Sequence, residues 1–286
     1  MYRFSKWRIA LFTIFALIAF ASNSVLNRLA LGNNTIDAGS FVGIRIAAGA
    51  FSLWLLNGFS KQSFDVKWRG HFRPALYLLL YGVAFSFAYR SLSSGTGAFI
   101  LFGTVQATML SMGFIKGERP SWTEWLGLLL AISGLVYLLL PGLSAPEPAG
   151  ATLMVVAGVA WAFYSLSGKG VADPLQATAS NFAAALPMVL VVNLFTFSAS
   201  HLSLKGTLYA CLSGSITSGV GYAVWYAALK GLTNTQAALL QLSVPVLAAV
   251  GGILFLSEHI TNRLLWSGLL IIGGVTFALF SKNANK

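Results

Sequence analysis

The sequence predicts an all-α integral membrane protein: ten transmembrane helices built as two inverted five-helix repeats, with both the N and C termini cytoplasmic. Three observations carry that prediction. Of its 286 residues, 57% are hydrophobic and only 9% charged, whereas soluble domains carry roughly 25% charged residues. Such a chain has too few charges to cover a water-facing surface. Its apolar residues fall in repeated continuous stretches of about 20, the length that crosses a bilayer as a helix. A membrane β-barrel would alternate polar and apolar residues instead. The net charge of +11 is concentrated in short loops beside those stretches, the distribution that orients membrane helices.

The first stretch, 9–31, follows Arg3, Lys6 and Arg8, and Ala19-Phe20-Ala21 has the small-residue look of a signal-peptidase site. The apolar run continues through Val25, Leu26, Leu29, Ala30 and Leu31, which is long enough to span, so a retained helix is expected. The remaining spans are read at 38–58, 74–92, 96–115, 124–140, 150–168, 177–198, 206–228, 233–256 and 264–281. Ser60 to Arg73 is the longest polar connection. Pro141-Gly142 through Pro148 is a Pro/Gly-rich joint, dividing the chain into halves at 1–145 and 146–286.

With a cytoplasmic N-terminus, thirteen Lys and Arg fall on the cytoplasmic side: Arg3, Lys6, Arg8, Lys61, Lys67, Arg69, Arg73, Lys116, Arg119, Lys169, Lys230, Lys282 and Lys286. Three (Arg90, Lys205 and Arg263) fall outside, and Arg28 and Arg45 lie within or at the edge of spans. That asymmetry fixes the expected orientation. It also accounts for the basic charge without nucleic acid. The single cysteine, Cys211, sits in an apolar stretch and offers neither a disulfide framework nor a cysteine metal site.

An internal repeat supports the division. Tyr89-Arg-Ser-Leu precedes a helix ending in Gly117-Glu118, then Leu126-Gly127 and Ser133-Gly134. Tyr226-Ala-Ala-Leu precedes one ending in Ser257-Glu258, then Ser267-Gly268 and Gly273-Gly274. Glu118 and Glu258 are 140 residues apart (258 − 118), as are Gly134 and Gly274 (274 − 134). Five spans per half make the second copy enter the membrane from the opposite side, the arrangement that underlies alternating access.

These residues resemble the drug/metabolite transporter superfamily, specifically its ten-helix EamA-type members, over nearly the whole chain. Phe20-Ala21-Ser22-Asn23 stands where that family often has Trp-Gly-Ser-Asn, and Trp161-Ala162-Phe163-Tyr164 is the counterpart in the second half. The units around Glu118 and Glu258 are the most specific match. Pro245 lies thirteen residues before Glu258, as in the family, but the equivalent first-half position is Val105. The resemblance implies a multi-pass protein of the bacterial inner membrane that moves a small molecule.

Polar residues inside the spans are the candidate site. Arg45 lies seven residues into the second span. It would either face a wet cavity and attract a carboxylate or phosphate, or take a structural role, snorkelling to the outer interface or bonding helix-end carbonyls; its depth, within snorkelling reach, favours the structural role. Asn23 and Asn27, one turn apart, share a face of the first helix. Gln106 and Gln241 fall in the fourth and ninth spans, Asn181 and Asn193 in the seventh. Such groups either line a cavity or bond helix to helix. Tyr77, Tyr81, Phe85 and Tyr89 form a stripe at four-residue intervals, and Trp161, Tyr164, Tyr222, Trp225 and Tyr226 add aromatics in the second half. Rings with a polar edge suit an amphipathic substrate. Tyr89 and Tyr226, near span ends, fit an interfacial belt better. Gly43, Gly49, Gly127, Gly134, Gly251, Gly252 and Gly274 are expected to permit close helix contact.

Absences narrow the chemistry. Asp37, Asp65, Glu118, Glu124, Glu147, Asp173 and Glu258 all fall in loops or at span ends, and His71, His201 and His259 in loops. No metal cluster, nucleophile–base pair or phosphate-binding loop is visible. The expected function is a secondary, non-ATP transporter, an exporter of amino acids or similar small amphipathic metabolites by alternating access. The alternatives are a lipid flippase or lipid-modifying enzyme, and a proton-coupled drug/metabolite efflux pump. The expected partners are a small-molecule substrate and membrane lipids, with no nucleic acid, no cofactor and no metal, in a monomer or weak homodimer.

Overall fold

The computed structural model describes residues 5–59, 68–115, 122–140, 145–232, 237 and 240–284, and these are helical with short connections. The helices are α1 Lys6–Leu31, α2 Ala38–Phe59, α3 Trp68–Ala88, α4 Ser94–Ile115, α5 Trp122–Leu139, α6 Pro148–Gly168 and α7 Pro174–Thr196. After a 3-10 turn, Phe197–Ala199, come α8 Leu204–Leu212, a π-helical segment Ser213–Val220 and α9 Gly221–Leu229, which run on as one column. Then follow α10 Ser243–Leu256 and α11 Asn262–Ala284.

Local chemistry sets the ends. Ser5 caps α1 by accepting from the Arg8 N–H at 3.3 Å. Glu147 with Pro148 opens α6, Asp173 with Pro174 opens α7, and Ser203 opens α8. Ser257 closes α10 in the left-handed conformation, φ 54°. Asp37 accepts from the Ser40 N–H at 2.8 Å and the His201 N–H at 3.0 Å. Its partial burial opposes ionisation, but these hydrogen bonds prevail and hold its carboxyl below the ordinary value of 3.8.

Several boundaries differ from expectation. α3 begins at Trp68 and runs through Pro74, so His71 is helical, not in a loop. In the second half the chain turns at Leu242, and α10 starts two residues before Pro245. Proline is tolerated in the first helical turn because its missing N–H has no intrahelical role there. α4 runs unbroken through Val105, so only the proline-bearing half is interrupted here. The reading of a span from 233 falls partly outside the described residues, as do Asp65 and Glu118.

Two ends of the bundle can be traced by contact. At one, Arg28 donates to the carbonyls of Tyr89 and Arg90 at 3.3 and 3.2 Å and lies 3.6 Å from Glu258. Both Glu258 oxygens accept from the Ser94 N–H, at 2.9 and 3.0 Å, and the Ser94 hydroxyl also donates to it. Ser91 reaches Glu147 at 3.1 Å, Arg263 donates to the Leu140 carbonyl, and Ile36 pairs with Leu202. At the other end Lys230 donates to the Ala172 carbonyl, and Gly231 packs on Ile9. α3 packs on α6 and α7, α1 on the α8–α9 column and α10, α2 on α7 and the π segment, α4 on α6 and α10, and α5 on α11.

The solvation pattern is that of a membrane protein. Large apolar side chains point outward, among them Leu194 at 77%, Phe195 at 85% and Leu254 at 70% exposed, while Asn23, Asn27, Arg45 and Gln241 are at most 1% exposed. Water would reverse that arrangement; lipid favours it. Among the described residues, five helices are long and apolar enough to cross a membrane, including α1, α2 and α6. Small residues bring the helices together. A Cβ on Gly134 would lie 2.8 Å from Leu270 Cβ and 2.9 Å from the Ser267 carbonyl oxygen, so α5 and α11 meet through it.

Candidate substrate site

The buried polar side chains converge where α1, α2, α3 and α6 meet the π segment and α9. The start of this assembly is Asn23. Its Oδ1 accepts from Ser213 Oγ at 2.6 Å, Thr217 Oγ1 at 3.2 Å and Asn27 Nδ2 at 3.3 Å, and its Nδ2 donates to the Tyr81 hydroxyl at 3.2 Å. Asn27 extends the network, donating to the Asn23 carbonyl at 2.8 Å and accepting from Ser86 Oγ at 2.9 Å. One helix thus binds α3 and the π segment through two amides on one face, as the spacing predicted.

Arg45 enters from α2. It is 1% exposed, so the snorkelling expectation is wrong: its guanidinium points into the bundle. Nε donates to Ser218 Oγ at 2.9 Å and Nη2 to the Tyr222 hydroxyl at 2.7 Å, while the group lies 5.2 Å from the Tyr81 ring centre and 5.4 Å from that of Phe85. Backbone packing directs it inward. A Cβ on Gly214 would overlap the Arg45 carbonyl, and one on Gly49 would come 3.0 Å from the Gly214 carbonyl oxygen. Only glycines let α2 and the π segment approach so closely.

The aromatic wall comes from both halves. Tyr81, Trp161 and Tyr222 surround one another, with ring centres 5.0 Å (Tyr81–Trp161) and 4.7 Å (Trp161–Tyr222) apart, and the Tyr222 hydroxyl lies 3.3 Å from that of Tyr81. Phe20 sets its edge against Trp161, Tyr222 and Trp225 at 5.2–5.9 Å. Trp161 Nε1 donates to Gln241 Oε1 at 3.1 Å. Tyr164 stacks obliquely on Trp161 at 5.6 Å and receives a hydrogen bond on its carbonyl from Tyr226 at 2.8 Å.

Asn181 faces Tyr164, and its Oδ1 lies 2.7 Å from His71 Nδ1, which donates. Gln106 is buried on α4, and Asn193 packs against Gly43. Tyr89 and Tyr226 are 0% and 1% exposed. They are therefore not an interfacial belt: each ring fills the space over a glycine, Gly97 and Gly168 respectively. Sequence reasoning passed over Ser213, Thr217 and Ser218, and it named Phe20 only within the Phe20-Ala21-Ser22-Asn23 motif. A signal existed for the first three, because Ser213-Gly-Ser-Ile-Thr-Ser-Gly is a polar run inside an apolar span.

A cleft of about 490 Å³ opens at the Arg28 end between α1, α3 and α6, lined by Leu31, Asn34, Phe87, Arg90 and Glu147. Glu147 is exposed there, and the Gly150 and Ala149 N–H groups that it caps hold its carboxyl below the ordinary value.

A helical bundle with a lipid-facing apolar exterior and a polar, aromatic heart is a membrane transporter in outline. The comparisons with known proteins specify which kind. The EamA-like transporter family matches residues 148–280. An uncharacterized protein of Pseudomonas aeruginosa is 46% identical over 272 residues, covering 95% of this chain and 94% of that protein. A "probable amino-acid metabolite efflux pump" of Salmonella typhimurium is 24% identical, over 72% of this chain and 77% of that one. A solved crystal structure shares the fold with a TM-score of 0.67 at 16% identity, over 95% of this chain and 98% of the other. The chain belongs to the EamA-type family of the drug/metabolite transporter superfamily, and is a multi-pass transporter of the bacterial inner membrane with a small-molecule substrate.

Proposed function

We propose that the protein exports amino acids or similarly sized amphipathic metabolites, by alternating access and without ATP. All ten helical columns would cross the membrane, the first five inverted relative to the second, with both termini in the cytoplasm. The observation that carries this reading is the shared heart of the bundle. Asn23, Arg45 and Tyr81 come from the first half and Trp161, Tyr222 and Gln241 from the second, and they meet through direct contacts.

The packing supports the inversion. Mapping α1–α5 onto α6, α7, the α8–α9 column, α10 and α11 sends the α3–α6 contact to α1 with the column. It likewise sends α4–α6 to α1–α10, and α3–α7 to α2 with the column; all are present. α2–α7, α4–α10 and α5–α11 map onto themselves. Two equivalent packings of this kind can exchange, opening the centre to either side in turn. The cleft at the Arg28 end would then be the periplasmic mouth.

The four carboxylates Asp37, Glu147, Asp173 and Glu258 sit at helix ends or in connections. Coupling through a buried acid therefore has no candidate among them, and facilitated diffusion or exchange is the expected mode. In proteoliposomes, substrate should equilibrate down its own gradient with no imposed pH difference. Strict dependence on a proton gradient, with uphill accumulation driven by it, would overturn this mode and direct attention to Glu118 and Glu258.

A further inference from the structure

We propose that an anionic group on the substrate is the counter-charge of Arg45, seated between its guanidinium and the hydroxyls of the π-helical segment. The protein would then select carboxylates or comparable anions and reject analogues in which that group is an amide or is missing. This rests on the reading of the buried cluster as the transport site.

The charge account comes first. A guanidinium stays protonated in proteins, and at membrane depth a charge is costly unless paired. Arg45 is 1% exposed, yet among the described residues the ion pair is Arg28 with Glu258, and no carboxylate pairs with Arg45. Its partners are neutral: the Ser218 and Tyr222 hydroxyls and the faces of Tyr81 and Phe85. Nη1 makes no hydrogen bond. An arginine kept only to join helices needs no unmet N–H donors, and a neutral side chain could make the same two bonds more cheaply. A bound anion would complete the set, with the planar fork available for two parallel bonds.

The second observation is independent of charge. Eight consecutive residues, Ser213–Val220, are π-helical, a conformation that is rare and frequent at functional sites. This segment supplies Ser213 and Thr217 to Asn23 and Ser218 to Arg45, and Tyr222 follows one residue beyond it. α2 also approaches this segment closely, through Gly214 and Gly49. The anion would displace the Tyr222 hydroxyl from Nη2 while Ser218 holds Nε in place. The apolar remainder of the substrate would lie toward Phe20, Trp161 and Tyr222, whose rings already form a contiguous wall.

The test uses the full-length protein in proteoliposomes and two matched probe sets. One is phenylalanine, phenylpropionate, phenylalaninamide and phenethylamine; the other is the leucine series of the same four types. Counterflow and tryptophan-fluorescence titration should favour the two acids of a set over its amide and amine by at least roughly tenfold, the scale of a charge-assisted hydrogen bond. Arg45→Gln should remove that preference, and Arg45→Lys should restore part of it, since charge is kept but the fork is lost. If Arg45→Gln does not fold, the acid–amide comparison in the unaltered protein decides by itself. Equal handling of acids, amides and amines would overturn the anion assignment and leave the transporter reading standing. Failure of all eight probes in both assays would overturn the amino-acid-like substrate class, and this inference with it.

Discussion

Replacing Asn23 with alanine separates a substrate site from a packing contact. The side chain joins α1 to three groups on other elements: Ser213, Thr217 and Tyr81. Interhelical hydrogen bonds in membrane proteins average about 0.6 kcal/mol and reach about 1.7 kcal/mol. Two of the donors have alternatives, because Thr217 also donates to the Ser213 carbonyl at 2.9 Å and Asn27 to the Asn23 carbonyl at 2.8 Å. Ser213 Oγ has its shortest bond to Asn23 and would keep only the long one from Asn27 Nδ2, at 3.5 Å, a cost of about 1–3 kcal/mol. The sum is about 1–4 kcal/mol of stability, which should leave a folded protein.

Thermal unfolding and monodispersity in detergent measure the first quantity, and counterflow per folded molecule measures the second. If Asn23 orders the site, transport should fall tenfold or more while the folded fraction remains near that of the parent. Trp161→Ala should behave alike, because it loses the bond to Gln241 and ring contacts with Phe20, Tyr81 and Tyr222. Activity that merely tracks the amount of folded protein would show that these residues only pack helices. Full transport in both variants would move the site elsewhere.

Three other outcomes are expected. A reporter active only in the periplasm should be silent when fused after Lys286 and active near Asn33; an active C-terminal fusion would refute the even span count. Gly134→Val should destabilise the protein by about 1–3 kcal/mol, because its side chain would collide with Leu270 and Ile271; unfolding temperatures equal to the parent's would contradict the α5–α11 contact. Asp37 contributes stability that is present above pH 3.8, its ordinary value, and is lost as pH falls through the lower folded value. Asp37→Asn should therefore lower the melting temperature at pH 7 and lose its effect in strong acid, and a pH-independent difference would count against the hydrogen-bond account.

Much of the fold was legible because lipid imposes a coarse rule: every backbone polar group must be satisfied within the segment, so long apolar runs become helices. The ends were less legible because caps and prolines act locally. Pro74 marks the expected start of the third span, yet α3 begins six residues earlier, at Trp68. Pro245 lies in the first turn of a new helix and not in the middle of an old one. The two prolines look alike in sequence, and the contacts made by neighbouring backbone decide between them.

Arg45 shows why the site was harder to read. Depth along the helix does not decide its fate; azimuth does. Reach toward the interface says only what an arginine can do if it faces lipid. Gly49 lies four residues on and therefore on the same face, and glycines on membrane helices mark the side that another helix approaches. That pairing points inward in the sequence itself. The partner surface was also present, in the Ser213-Gly-Ser-Ile-Thr-Ser-Gly run, where four hydroxyls and two glycines fall within an apolar column. Read together, a glycine face bearing one arginine and a hydroxyl-rich face bearing glycines are complementary surfaces. What neither run could disclose is the π-helical winding of the segment whose Ser213 and Thr217 bond α1 and whose Ser218 bonds α2. One segment thereby bonds both Asn23 and Arg45, residues whose positions in sequence give no reason for them to share a partner.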